Sequence, residues 1–233
     1  MFRVGLTPQA LDEEVASLAA RVEPSTVGHW QDLGFAHGIH PLTSNRHCVG
    51  SAYTVRLAGM DATAIHAAMA DIGPGHVLVV SMGGERQRAC VGAIIGWLAE
   101  RSGATGVVVD GMATDLEDLE QLGIPVFARG TSALTTKAIG IEGDINVPVV
   151  IDNVIVNPGD VVIADPNGVL FIAPSDFAQT AARAIEAQEA ETRFRSELAG
   201  GADLAQISGA KQHMQGRIVT VSRPVSTSDY DGR

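Results

Sequence analysis

Positive charge is scarce in this chain. Sixteen Lys and Arg stand against twenty-seven Asp and Glu, which gives a formal net charge of −11 over 233 residues and an isoelectric point near 4.9. Nucleic-acid backbones and anionic membranes are held by clustered Lys and Arg, so neither is expected as a partner, whereas a basic protein remains possible. Cysteine is nearly absent. Cys48 and Cys90 are the only two, too few for a disulfide framework, and they point to a reducing, cytoplasmic setting. No run reaches the 18 or so apolar residues of a membrane span, and Met1–Pro8 lacks the apolar core of a signal peptide. Aromatics make up only 4% of the chain, so Val, Ile, Leu and Ala must fill any core.

Those aliphatic residues are plentiful. Hydrophobic residues are 45% of the sequence, and 26 glycines provide tight turns and close backbone approaches. The length suits one ample domain, or one domain with terminal extensions. His76–Ser81 and Val107–Val109 read as strands buried on both faces, and Gly50–Leu57 alternates as a strand does. Val147–Val150 and Val154–Val156 flank Asp152-Asn153 as a hairpin, and Val161–Ala164 and Val169–Ala173 continue the β structure. Helices are expected over 8–22, 26–34, 62–71 (capped by Asp61), 88–101 and 116–122. A long helix follows from Asp176 to about Leu198, capped by Ser175. Residues 200–215 read as a further short helix and Ser222–Arg233 as a polar, mobile tail.

The most informative stretch is Gly106–Lys137. Its valine strand is expected to end at Asp110-Gly111, and Asp115 then stands at the start of a helix over Leu116–Leu122. A carboxylate just beyond the C-terminal end of a strand occupies the usual place for a ligand or metal site in α/β proteins. Spacing alone leaves two readings of Asp115 open: a cap for its own helix, or a ligand. Other candidates are weaker. His37, His40 and His47 follow no helical or zinc-ribbon spacing and read as surface or packing histidines. Gly83-Gly84 belongs to no phosphate-binding motif, since neither G-x-x-x-x-G-K-[ST] nor G-x-G-x-x-G occurs. The N–H groups at the start of the 88–101 helix suit an anion such as a substrate carboxylate only if that helix begins close to Gly92. Cys90 reads as a small core residue.

Several motifs then recur in an order that resembles a known family. They are Cys48-Val-Gly-Ser-Ala-Tyr-Thr-Val, Gly83-Gly84 followed by the helix with Gly92, Val109-Asp-Gly-Met-Ala-Thr-Asp115, and Gly123-Ile-Pro-Val-Phe-Ala-Arg-Gly130. Asn146-Val-Pro-Val, Pro158-Gly-Asp and Asp165-Pro-Asn-Gly-Val complete the set. Together they resemble the RraA-like family of 4-hydroxy-4-methyl-2-oxoglutarate aldolases and ribonuclease E regulators, over roughly residues 24–200. The chain then divides into an N-terminal helix (1–23), the RraA-like domain (24–200) and a C-terminal extension and tail (201–233).

The resemblance implies an α/β fold, a β/β/α sandwich of the swivelling-domain type, assembled as a homotrimer or a dimer of trimers. It implies a divalent cation, Mg2+ or Mn2+, a small 2-oxo acid substrate and pyruvate as product. The metal aspartate falls on Asp115, an acid three residues later on Asp118, and the backbone cradle for the substrate carboxylate on Gly92, Ala93, Ile94 and Ile95. Two positions depart from the family. Thr114 stands where the family has an arginine, and Ala93 where it has an acid beside metal-bound water. Threonine cannot clamp a carboxylate as a guanidinium does, and alanine cannot move a proton. Arg86, Arg88, Arg129 and Lys137 are the cations available to replace the lost charge, and each reads on its own as a surface cation. No residue is assigned as the catalytic acid or base. The implied activity is a metal-dependent aldolase or oxaloacetate decarboxylase. The alternatives are an enzyme of changed chemistry in the same pocket and a non-catalytic relative that binds and regulates a protein partner.

Overall fold

The computed structural model describes residues 1–218. The chain divides into two units, Met1–Ala187 and Gln188–Arg233. In chain order the first opens with β1 (Phe2–Val4), α1 (Glu13–Ala19), α2 (Pro24–Val27), β2 (Phe35–Ala36), β3 (His40–Pro41) and β4 (Cys48–Leu57). Next come α3 (Thr63–Ala68), β5 (His76–Ser81), β6 (Ala89–Val91), α4 (Ala93–Arg101), β7 (Gly106–Ala113), α5 (Leu116–Leu122) and β8 (Val126–Thr131). The β-rich end holds β9 (Gly143–Ile145), β10 (Val149–Ile151), β11 (Val154–Val156), β12 (Val161–Asp165) and β13 (Gly168–Ile172), before α6 (Pro174–Ala199).

Eleven strands form one mixed sheet in the order β2-β13-β12-β4-β5-β7-β8-β3, with β6 beside β7 and with β9 and β1 beyond β4. Its centre, β4-β5-β7-β8, is parallel, while β12, β13, β2 and β3 are antiparallel to their neighbours. The valine run explains why β7 lies at this centre. Val107 and Val109 face a core that takes in Ile65 of α3, Ile95 and Ala99 of α4, and Leu119 of α5. Val108, between them, faces the opposite core with Val79, Phe127, Val149, Ile151 and Val156. A strand buried on both faces needs apolar residues at successive positions, as here. The layers are therefore the β10–β11 hairpin, the large sheet and the α3–α4–α5 layer, the β/β/α order that the resemblance implies. A third core packs Ala19 of α1, Val27 of α2, and Phe177, Ala181 and Ala184 of α6 with Val161, Ile163, Leu170 and Ile172.

Several boundaries differ from expectation. The first helix begins only at Glu13, because the Asp12 carboxylate accepts the Val15 N–H at 2.8 Å and sets the N-cap there. The second is the short Pro24–Val27, not 26–34. α3 starts one residue after Ala62, although Asp61 does accept the Thr63 N–H at 2.9 Å. Asp110-Gly111 does not end β7. The strand runs on to Ala113 through a register shift between Val109 and Met112, and residue 111 lies so close to Met82 that a Cβ there would meet its Cγ at 2.4 Å. The expected helix over 88–101 is split. Ala89–Val91 pairs with Met112 and Ala113 as a short parallel strand, and the helix begins at Ala93 after Gly92. The Asp152-Asn153 hairpin forms as expected, with Asp152 left-handed at φ 54°.

Among the described residues, the second unit holds the end of α6 and two short helices. α7 (Leu204–Ile207) and α8 (Ala210–Met214) replace the single short helix expected there, separated by Gly209 at φ 74°. The expected tail, Ser222–Arg233, lies outside the described residues. Among those residues no helix is long and apolar enough to cross a membrane.

Candidate metal and ligand site

β6 and β7 run parallel and end together, and their next residues carry the candidate site. Thr114 N–H donates to Val91 O at 2.9 Å, and Ser132 N–H, just past β8, donates to Ala113 O at 2.9 Å. These bonds hold the end of β7 from both sides. Asp115 follows with φ 54° and ψ 47°, a left-handed conformation that Asp adopts more readily than most residues. It occupies the N-cap position of α5, yet its side chain makes no cap bond to that helix. Its Oδ2 instead accepts the Ala93 N–H at 3.0 Å, at the first residue of α4. Its Oδ1 accepts the Thr114 hydroxyl at 3.2 Å. The carboxylate is thus turned away from its own helix and onto the start of the neighbouring one.

Gly92 makes this approach possible. Its backbone is extended (φ −149°), which any residue adopts. What it needs is the missing side chain, since a Cβ would lie 2.5 Å from Asp115 Oδ2 and 2.7 Å from Thr114 Cγ2. The helix start therefore falls where an anion cradle requires it. Ala93, Ile94 and Ile95 carry the N–H groups of the first turn, and that of Ala93 is engaged by Asp115. Ile94 is 70% exposed, and Asp118 is exposed in the first turn of α5. Among the described residues no ion pair involves Asp115.

Three of the four candidate cations are engaged elsewhere. Arg86 and Arg129 both pair with Asp110, the Arg129 contact being 2.5 Å. Arg129 also reaches Asp152 at the hairpin tip, at 2.6 Å, and Asp152 N–H donates to Asp110 Oδ2 at 2.8 Å. Burial pushes the Asp110 pKa up, but these donors outweigh it and hold the carboxyl below its usual range. Arg88 donates to Thr135 O at 2.9 Å. The Asp110–Arg129–Asp152 cluster was not foreseen in the sequence. Its only local signal is an acid at the end of a buried valine run.

The remaining candidates separate. His37 and His40 line a cleft of about 440 Å3 with Gln31, Asp32 and Asn167, and His47 lines another with Cys48 and Asp165. Among the described residues no three His, Cys, Asp or Glu side chains are grouped to hold a metal. Cys48 and Cys90 are buried, and burial pushes each thiol up to about 12, which makes both inert.

A family model described as RraA-like, Aldolase/RraA, matches residues 9–171. The chain belongs to the RraA-like family. A protein of Halalkalibacterium halodurans, provisionally named a 4-hydroxy-4-methyl-2-oxoglutarate aldolase, is 39% identical over 134 residues, 58% of this chain. The match spans 63% of that relative's length. Among solved structures, an uncharacterized protein from Pseudomonas syringae superposes with a TM-score of 0.76 over 88% of this chain and 98% of its own. At 24% identity that likeness is one of fold. Streptomyces coelicolor RraAS2, described as an unusual member of the RNase ES inhibitor RraA family, gives 0.72 at 26% identity, over 80% of this chain and 98% of its own. RraA-like proteins thus include both aldolase-named and regulator-named members.

Proposed function

We propose that this protein is a divalent-metal-dependent carbon–carbon lyase of the 4-hydroxy-4-methyl-2-oxoglutarate aldolase or oxaloacetate decarboxylase type. It acts on a 2-oxo acid and releases pyruvate. The observation that carries this reading is the Asp115 carboxylate, turned onto the start of α4 over a glycine that leaves no room for a Cβ. A single hard oxygen donor completed by waters suits Mg2+, which dehydrates reluctantly and keeps several waters, or Mn2+, which takes the same oxygen ligands. Bound there, such an ion offsets as a Lewis acid the negative charge that collects on the 2-oxo acid fragment when the carbon–carbon bond breaks.

The chain's own residues then divide the work. Asp115 holds the cation. The N–H groups of Ile94 and Ile95, at the positive end of the α4 dipole, receive the substrate carboxylate. With Ala93 and Thr114 in place neither position offers an acid or base, so proton transfer falls to water, and turnover is slow by the 10²–10⁴-fold that a positioned acid or base ordinarily supplies. The assembly is a homotrimer or dimer of trimers in the cytoplasm.

Pyruvate release from oxaloacetate and from 4-hydroxy-2-oxo acids, measured with Mg2+ or Mn2+ and again with EDTA, tests the proposal. Asn keeps the left-handed backbone at 115 while removing the charge, so Asp115→Asn is the matching variant. Metal-dependent turnover that falls at least 100-fold in Asp115→Asn is expected. Absence of turnover in the native protein would overturn the reading. A second reading, a regulator that binds a basic protein partner, is favoured by Ala93 and Thr114 standing where the family has an acid and an arginine, and by the −11 net charge. An inactive protein that captures a basic partner would support it.

A further inference from the structure

The Asp115 carboxylate is held at both oxygens, and both donors are neutral. One is the Ala93 N–H at 3.0 Å and the other the Thr114 hydroxyl at 3.2 Å. A cationic donor would spend part of the carboxylate's charge on itself, whereas neutral donors fix its direction and leave the charge for an arriving cation. Thr114 is built for this task. Threonine is β-branched, so its methyl and hydroxyl turn together about one stiff χ1. The methyl lies over Gly92, where a Cβ would come within 2.7 Å of it. With the methyl seated there, the hydroxyl is directed to Asp115 Oδ1. The backbone that carries the side chain is itself fixed, by Thr114 N–H to Val91 O and by Ser132 N–H to Ala113 O.

We propose that Thr114 is the positioning residue of this site: its hydroxyl orients the Asp115 carboxylate for a divalent cation, and its methyl, seated on Gly92, orients the hydroxyl. This inference rests on the reading of Asp115 as the metal ligand. Threonine at 114 then does more than vacate the place of a cation, because it takes over the orientation of the one ligating carboxylate by a neutral hydrogen bond.

Titration of Mn2+ alone into the full chain, followed by calorimetry or by the loss of the free-Mn2+ EPR signal, tests it without any substrate. Thr114→Val keeps the branched shape and removes the donor. Thr114→Ser keeps the hydroxyl and removes the methyl. Asp115→Asn removes the ligand charge. Thr114→Val is expected to weaken Mn2+ binding about fivefold, the worth of one neutral hydrogen bond. Thr114→Ser should fall between native and Val, since its hydroxyl is retained without the methyl that aims it, and thermal unfolding should stay near native in both. Should Thr114→Val fail to fold, the Ser variant and Thr114→Ala carry the same comparison. Native-strength Mn2+ binding in Thr114→Val and Thr114→Ala, with binding lost in Asp115→Asn, would overturn the role of Thr114 alone. Native-strength binding in Asp115→Asn would overturn the ligand reading of Asp115 and this inference with it.

Discussion

Gly92 and Asp115 lie 23 positions apart in the chain, yet the Asp115 carboxylate fills the space that a side chain at 92 would need. A methyl at 92 would stand 2.5 Å from Asp115 Oδ2 and 2.7 Å from Thr114 Cγ2, against a carboxylate already held by two bonds. Gly92→Ala is therefore expected to displace the carboxylate, to weaken Mn2+ binding at least tenfold and to cost about 1–3 kcal/mol of stability as overpacking does. Calorimetry and thermal unfolding on the same sample read the two effects. Native Mn2+ affinity in Gly92→Ala would mean that the carboxylate is not held where the geometry has it. Sequence spacing left Asp115 balanced between helix cap and ligand. The structure puts its side chain on the first N–H of the neighbouring helix and not on its own, a relation that no local pattern encodes. The Asp110–Arg129–Asp152 cluster was illegible for the same reason, since its members come from β7, β8 and the hairpin tip.

At the scale of elements, strands were easier to read than helix starts. The apolar runs of β5, β7, β12 and β13 announce themselves because a strand buried on both faces leaves few polar positions to blur it. β6 did not, because three residues beside the end of β7 carry too little pattern to outweigh the helical look of 88–101. α3 illustrates how a cap can reach beyond its helix. The buried Asp61 carboxylate accepts not only the Thr63 N–H but also those of Ile139 at 3.2 Å, Ile141 at 2.5 Å and Glu142 at 3.1 Å. It ties the segment before β9 to the start of α3. Asp61→Ala orphans those donors and is expected to cost about 3 kcal/mol, measurable by urea unfolding. A loss below about 0.5 kcal/mol, the range of an ordinary surface change, would contradict this assignment.

For the whole molecule, acidity shapes stability. Hydrogen bonds and charge from Arg3 and Arg56 hold Asp144 well below the usual carboxylate value of 3.8. Burial pushes Asp61 up, but its bonds to Thr63, Ile139 and Ile141 outweigh that and hold it low as well. Carboxyls with folded values below their unfolded ones bind protons more weakly when folded. Their contribution is complete above about pH 4 and is lost as the pH falls through the folded values. Asp160, raised by burial, acts in the opposite sense. Thermal unfolding is thus expected to be nearly flat from pH 7 to 5 and to fall below pH 4, with a shallower acid limb in Asp144→Asn, whereas an acid limb unchanged by that substitution would contradict the assignment. The fold as a whole was legible, through the order of motifs and the strand pattern. What the site binds is a question for a direct look at Asp115. Crystals soaked in Mn2+ and oxalate, a 2-oxo acid mimic, and measured for anomalous scattering should place a manganese peak about 2.1 Å from the Asp115 carboxylate, with oxalate reaching the start of α4. Oxalate bound there without manganese, or manganese bound elsewhere with Asp115 bare, would contradict the metal-dependent lyase.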